Sequence, residues 1–159
     1  MTVTLRTLDA GDTAALDDVR QFFRNYAGWL GVDLSFQNFD QEMASLPGAY
    51  ATPQGRLFFA EVDGRPAGCV GVRPLPDSDG VCEMKRLYVA PAGRGQGLGR
   101  KLALAIIEAA RAAGHREMRL DTLATMHEAQ KLYCALGFTE IARYNDTPGE
   151  GTVFMSLAL

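Results

Sequence analysis

Two histidines in 159 residues, His115 and His127, are too few and too far apart to build a metal-ligand cluster. No metal is expected. Cysteine is equally sparse. Cys69, Cys82 and Cys134 form an odd set without Cys-x-x-Cys spacing, which excludes a disulfide framework and a zinc site. Each lies in an apolar stretch, and all three read as buried free thiols in a reducing compartment. Positive charge is not in excess either: 16 Lys and Arg face 19 Asp and Glu, a net charge of −3. A chain of that sign has no broad basic surface for a nucleic-acid backbone, so any anion site must be local. No apolar run approaches the length that spans a bilayer, and the alternating, polar start of the chain is unlike a signal peptide. The expectation is a cytoplasmic protein that binds neither nucleic acid nor membrane. Without a Gly-x-Ser-x-Gly elbow or a Cys in an electropositive strand-to-helix turn, a nucleophile-based hydrolase has no support.

What remains is an ordinary globular composition, 47% hydrophobic and 22% charged, with no repeat or linker, so residues 1–159 read as one domain. Val3 to Leu8 alternates and predicts a strand. Asp12 is placed to cap a helix running towards Tyr26, with Leu16, Val19, Phe22 and Phe23 at helical spacing. A weaker helical stretch covers about Phe36 to Leu46, and Pro47 to Gly55 reads as loop. Leu57 to Val62 and Ala67 to Arg73 predict a hairpin turned by Asp63-Gly64, and Val81 to Val89 a third strand of that meander. Helices are expected over Leu98 to Ala113, stopped by Gly114, and over Thr125 to Leu136, closed by Gly137. Strands are expected over Glu117 to Thr122, Phe138 to Tyr144 and Thr152 to Leu159. The order β-α-α-β-β-β-α-β-α-β-β implies an α/β fold with a mixed sheet flanked by helices.

The most informative stretch, Val89-Ala-Pro-Ala-Gly-Arg-Gly-Gln-Gly-Leu-Gly-Arg100, leads from a strand into a long helix. Glycines at 93, 95, 97 and 99 let the backbone turn tightly and approach a ligand. The first N–H groups of the next helix have no internal partners and lie at the positive end of its dipole. A diphosphate satisfies both, and Arg94, Arg100 and Lys101 add charge. A plain strand-to-helix connection would need fewer glycines. Gly-x-Gly-x-x-Gly fails because the third glycine position falls on Leu98 or Arg100. The Walker pattern fails because no glycine here precedes Lys-Ser or Lys-Thr.

Arg94-Gly95-Gln96-Gly97-Leu98-Gly99 fits Arg/Gln-x-x-Gly-x-Gly. With Met84-Lys-Arg-Leu-Tyr-Val89 before it and Ala129-Gln-Lys-Leu-Tyr-Cys-Ala-Leu-Gly-Phe138 after it, the chain resembles the GCN5-related N-acetyltransferase (GNAT) superfamily, most strongly from Val81 to Phe138. The resemblance implies a mostly antiparallel mixed sheet with a V-shaped splay between the strand ending at Val89 and the strand after Arg116. It implies acetyl-CoA as donor, with the diphosphate on residues Arg94, Gly95, Gln96, Gly97, Leu98, Gly99 and Arg100. The pantetheine arm would pair with the backbone of Leu87, Tyr88 and Val89, and an N–H near Leu87 or Tyr88 would polarise the acetyl carbonyl. Glu83 stands where several members place a base, and Tyr133 matches the tyrosine whose phenol faces the CoA sulfur. Each has a plainer alternative: Glu83 paired with Lys85, Arg86 or Arg73, and Tyr133 packed on the core beside Leu132 and Leu136. His127 stands where the family often has Asn, so it could bind pantetheine, relay a proton or simply be exposed. His115 reads as surface.

By the same resemblance the acceptor enters over the first helices and the last hairpin, near Tyr26, Trp29, Phe36, Phe39 and Tyr144 to Gly151. Tyr26-Ala-Gly-Trp-Leu-Gly reads as an irregular aromatic junction. Asp33, Asp40, Glu42, Asp146 and Glu150 could attract a cationic amine or only face solvent. The expected activity is direct transfer, in a ternary complex, from acetyl-CoA to a primary amine of a small molecule or amino acid. The alternatives are a protein or peptide amine as acceptor, and a non-catalytic acyl-CoA sensor. A homodimer through edge strands is expected by analogy alone.

Overall fold

Strands of alternating burial assemble one sheet, seen in a computed structural model that describes residues 2–30, 39–76, 78–147 and 151–159. The strands are β1 (Val3–Thr7), β2 (Arg56–Val62), β3 (Arg65–Pro74), β4 (Val81–Val89), β5 (Glu117–Thr122), β6 (Thr139–Ile141) and β7 (Val153–Ala158). Their spatial order is β1-β2-β3-β4-β5-β7-β6. Every neighbouring pair is antiparallel except β4 and β5, which run parallel because a helix crosses between them. The Asp63-Gly64 turn has φ of 50° and 79°, the left-handed pair that a tight hairpin needs.

Helices cover both faces. On one, α3 (Leu98–Ala112) buries Leu98, Leu102 and Ile106 against Val70, Val72, Met84, Met118 and Leu120. On the other, α1 (Thr13–Leu30) and α2 (Phe39–Ser45) bury Leu16, Val19, Phe23 and Met43 with Leu57, Phe59 and Cys69. The short α4 (His127–Ala135) follows β5. Among the described residues, no helix is long and apolar enough to cross a membrane.

Several expectations need correction. The first helix continues past Tyr26 to Leu30, so the expected irregular junction is helical up to that point. Asp12 is not a side-chain cap: its carboxylate accepts Asp9 N–H at 2.8 Å and Arg6 at 3.2 Å, while its carbonyl accepts Leu16 N–H. The second helix begins at Phe39, and residues 36–38 lie outside the described residues. The 47–55 loop contains a 3₁₀ turn, Gly48–Tyr50, because Tyr50 buries its ring against Gly71, where a Cβ would stand 2.7 Å from the ring. The strand after Gly137 stops at Ile141, since the polar groups of 144–147 bond to carboxylates of the sheet face instead. Cys134 is exposed, whereas Cys69 and Cys82 are buried. Burial pushes both buried thiols up, that of Cys82 to about 12, so neither supplies a thiolate at neutral pH. His115 is buried, not surface, with Nε2 2.8 Å from the Gln54 carbonyl oxygen.

Candidate active site

The sheet opens at β4. Its parallel pairing with β5 is limited to Val81, Cys82 and Glu83 opposite Glu117, Met118 and Arg119, after which the strands part. On its other edge, Tyr88 stands opposite Cys69 but Lys85 opposite Gly71, so β4 carries one residue more than β3 over this interval. Such a bulge bends its strand and interrupts pairing. Arg86 takes the strain, with φ of 61°. A left-handed non-glycine residue costs about 1–2 kcal/mol, and tertiary contacts hold it: Arg86 Nε donates to Glu42 at 2.9 Å and its guanidinium lies 5.6 Å from the Phe23 ring centre. The bulge resets the alternation. Glu83, Arg86 and Tyr88 face α1 and α2, whereas Leu87 and Val89 pack towards α3. Among the described residues, the edge of Leu87 to Val89 that faces β5 has no strand partner.

A cavity of about 700 Å³ runs along that edge. Leu87, Tyr88 and Val89 form one wall, Tyr26 and Asn25 of α1 another, and Ala129 and Leu132 of α4 a third. Arg94 and Gly99 bring the glycine loop to its mouth. The N–H groups of residues 95–100 donate to no protein acceptor among the described residues. Gly95 and Gly97 have φ of 78° and 67° with open space where a Cβ would stand, so their role is the left-handed backbone that turns these donors outward. Gly93 differs: a Cβ there would lie 2.8 Å from the Ala67 carbonyl oxygen, so this glycine serves packing. Leu98 is buried, which leaves only its N–H to bind. Gln96 donates to the Ala92 carbonyl at 3.3 Å and keeps Oε1 buried without a partner. Arg94 and Arg100 are exposed beside the loop. Free amides at a helix N-terminus, two flanking guanidinium groups and an apolar slot beyond them fit the diphosphate and pantetheine arm of an acyl-CoA.

Glu83 is 2% exposed and caged. Its Oε1 accepts Arg73 Nε at 3.2 Å and Nη2 at 3.0 Å; its Oε2 accepts the Tyr144 hydroxyl at 2.6 Å and Asn145 at 3.5 Å. Lys85 lies 3.8 Å from Oε1. The alternative pairing with Arg73 and Lys85 is thus present, and Glu83 does not line the cavity. Tyr144 spends its O–H on Glu83 and stacks edge-on against Phe154 at 5.4 Å. Burial foremost, then the Glu83 charge, pushes its phenol well above the ordinary value. Tyr133 is 7% exposed and packs on Phe138 with ring centres 5.7 Å apart. Burial, with Tyr26 and Asp121 adding to it, raises its phenol too.

A family model described as the acetyltransferase (GNAT) family matches residues 16–138. The chain belongs to this family. It is similar to an uncharacterised N-acetyltransferase of Schizosaccharomyces pombe, 39% identical over 145 residues, covering 91% of this chain and 88% of that protein. It is also similar to Escherichia coli YjgM, named an uncharacterised N-acetyltransferase, 35% identical with 86% and 82% covered. Among solved structures, Salmonella typhimurium yncA with its cofactor acetyl-CoA has a TM-score of 0.75 and 25% identity over 99% of this chain and 94% of that one. The protein is an N-acetyltransferase, and its GNAT fold is the mixed, mostly antiparallel sheet described above.

Of the GNAT site residues expected from sequence, the structure brings Leu87, Tyr88, Val89, Arg94, Gly99 and Tyr26 to one cavity. His127 is exposed at the start of α4, between the lining residues Met126 and Glu128. Phe36, Asp33 and Glu150 lie outside the described residues, as do the side chains of Trp29 and Phe39. The sequence named Arg73 as a possible partner of Glu83, but did not single out Asn145 or Asp121. Arg73 sits directly across the β3–β4 pair from Glu83, and that register selects it from the partners the sequence offered. Asp121 Oδ2 accepts Asn145 at 2.8 Å and Thr147 at 3.1 Å, which fixes the 144–147 loop over the carboxylates.

Proposed function

We propose that this GNAT enzyme transfers the acetyl group of acetyl-CoA directly to the primary amine of a small molecule, with both substrates bound together where β4 and β5 part. The observation that carries this reading is the run of free amides from 95 to 100 opening onto a cavity along the unpaired edge of Leu87 to Val89. When bound, acetyl-CoA supplies an acetyl thioester activated for attack. The loop amides, Gln96, Arg94 and Arg100 hold the diphosphate, and backbone groups of Leu87, Tyr88 and Val89 align the pantetheine arm. An N–H of Leu87 or Tyr88 donates to the acetyl carbonyl oxygen, where negative charge grows during attack. His127 borders the pantetheine channel, and Tyr26 closes the cavity towards the acceptor.

The amine must lose a proton before or during attack. Glu83 is nearly sealed, with both oxygens engaged, so the proton reaches it by relay. The Tyr144 oxygen takes the amine proton as its own O–H proton passes to Glu83 Oε2 across the 2.6 Å bond. Tyr133, kept protonated by burial, holds the proton for the departing sulfur. Thiol release from acetyl-CoA, scored against simple amines, amino acids and peptides, tests the reading. Saturable release with small amines, and intersecting double-reciprocal lines when both substrates vary, is the expected result. Release with peptides alone would move the acceptor to proteins. Acetyl-CoA binding without transfer to any amine would leave a sensor domain.

A further inference from the structure

The face of β4 turned towards α1 and α2 carries a cation that its carboxylates hold only at the limit of an ion pair. Glu83 Oε1 is taken by Arg73 and Oε2 by Tyr144; Glu42 Oε1 is taken by Tyr50 at 2.7 Å and Oε2 by Arg86. Lys85 is left over. Its side chain is 8% exposed, its one ion pair is the 3.8 Å approach to Glu83 Oε1, and its Nζ makes no hydrogen bond among the described residues. At 8% exposure the side chain is nonetheless not fully sealed. Asp121 also feels this charge, but it forms no ion pair with Lys85 and spends Oδ2 on Asn145 and Thr147. Burying an ammonium without hydrogen bonds is unfavourable, and the 3.8 Å approach to Glu83 with the Asp121 charge beyond it repays this only in part. An anionic ligand group would repay the rest.

We infer that Lys85 Nζ binds a carboxylate carried by the acceptor, which makes the substrate an amino acid or a similarly zwitterionic amine. This inference rests on the acetyl-transfer reading and narrows its substrate. The bulge supplies the geometry: Lys85 is two residues before the unpaired Leu87 to Val89 edge, and its ammonium stands beside the Glu83–Tyr144 pair assigned to the amine proton. A zwitterion presents its ammonium to Tyr144 and Glu83 and its carboxylate to Lys85, matching both charges at once. A simple cationic amine meets the Lys85 charge without compensation, so the same residue that attracts the acid repels the amine.

Matched acceptor pairs test this, each an amino acid and its carboxamide, which keeps the amine and removes the carboxylate. Binding to the CoA-loaded enzyme is read by calorimetry, and acetylation by thiol release. For the preferred side chain, the acid should bind about tenfold or more tightly than its amide, as a charge-assisted contact implies. Lys85→Met should erase that preference, Lys85→Arg should keep part of it, and both should retain acetyl-CoA affinity and a cooperative melt. An acid preference that survives Lys85→Met, or a wild-type enzyme that binds no acid better than its amide, overturns the inference. Transfer to amides with an unaltered Lys85→Met profile would leave the transferase reading standing alone. Acids bound through Lys85 but never acetylated would instead keep this site and remove the transfer reading.

Discussion

Tyr144→Phe separates a relay from a brace. The substitution deletes the 2.6 Å hydrogen bond to Glu83 Oε2 and leaves only Asn145, at 3.5 Å, on that oxygen. It keeps the ring and its edge-on contact with Phe154. A hydrogen bond to a charged group contributes about 1.5–3 kcal/mol, so the variant should lose about 2 kcal/mol of stability. For a domain of this size each kcal/mol moves Tm by about 2–4 °C, which gives a fall of about 4–8 °C by calorimetry. A structural brace predicts no more than that. If Tyr144 also passes the amine proton to Glu83, kcat should fall about 100-fold, the low end of what positioned acid–base groups contribute. Acetyl-CoA affinity should stay unchanged, because Tyr144 does not line the cavity. The deficit should shrink at alkaline pH, where the acceptor amine arrives already neutral. A variant with the lowered Tm but wild-type kcat at neutral pH would refute the relay.

Tyr133→Phe should lower turnover more than acetyl-CoA affinity, since only the phenol hydroxyl is lost and the packing on Phe138 persists; unchanged turnover would remove Tyr133 from the chemistry. Lys85 gives a pH signature in stability. Burial lowers its pKa below the ordinary 10.5, with Glu83 acting the other way. The folded protein therefore takes this proton less readily than the unfolded chain. Stability falls as pH drops from about 10.5 through the folded value and is flat below it. Lys85→Met should show its largest gain over wild type below the folded value, vanishing above about 10.5, in paired thermal melts. A gain that grew with pH would contradict the assignment.

Much of this was legible in the chain. Apolar alternation and helical spacing locate the strands and helices, and the loop from Gly93 to Gly99 marks the anion site locally. The site's inner half is not local. The cage around Glu83 joins Arg73, ten residues away through a strand register, to Tyr144 and Asn145, more than sixty residues away through a loop. The bulge at Arg86 depends on a mismatch with β3 that β4 alone does not reveal. The stretch from Tyr26 read as an irregular junction, yet the helix carries through Gly28 to Leu30 and Tyr26 stacks edge-on against Tyr88 at 6.0 Å. His115 and Cys134 were misplaced for a similar reason. A partner carbonyl at Gln54 buries the one, and the solvent face of a short helix exposes the other.

Calorimetric titration of acetyl-CoA into wild type, Gly97→Asn and Gly97→Glu bears most directly on the glycine loop. Gly97 has φ of 67° and open space around its Cβ position, so both variants fit sterically but place a side chain on left-handed backbone, where Asn is the better tolerated. Glu alone brings negative charge beside the free amides. One saturable site in wild type, weakened modestly by Asn and abolished by Glu in a protein that still melts cooperatively, is the predicted result. Equal affinity in all three would contradict it.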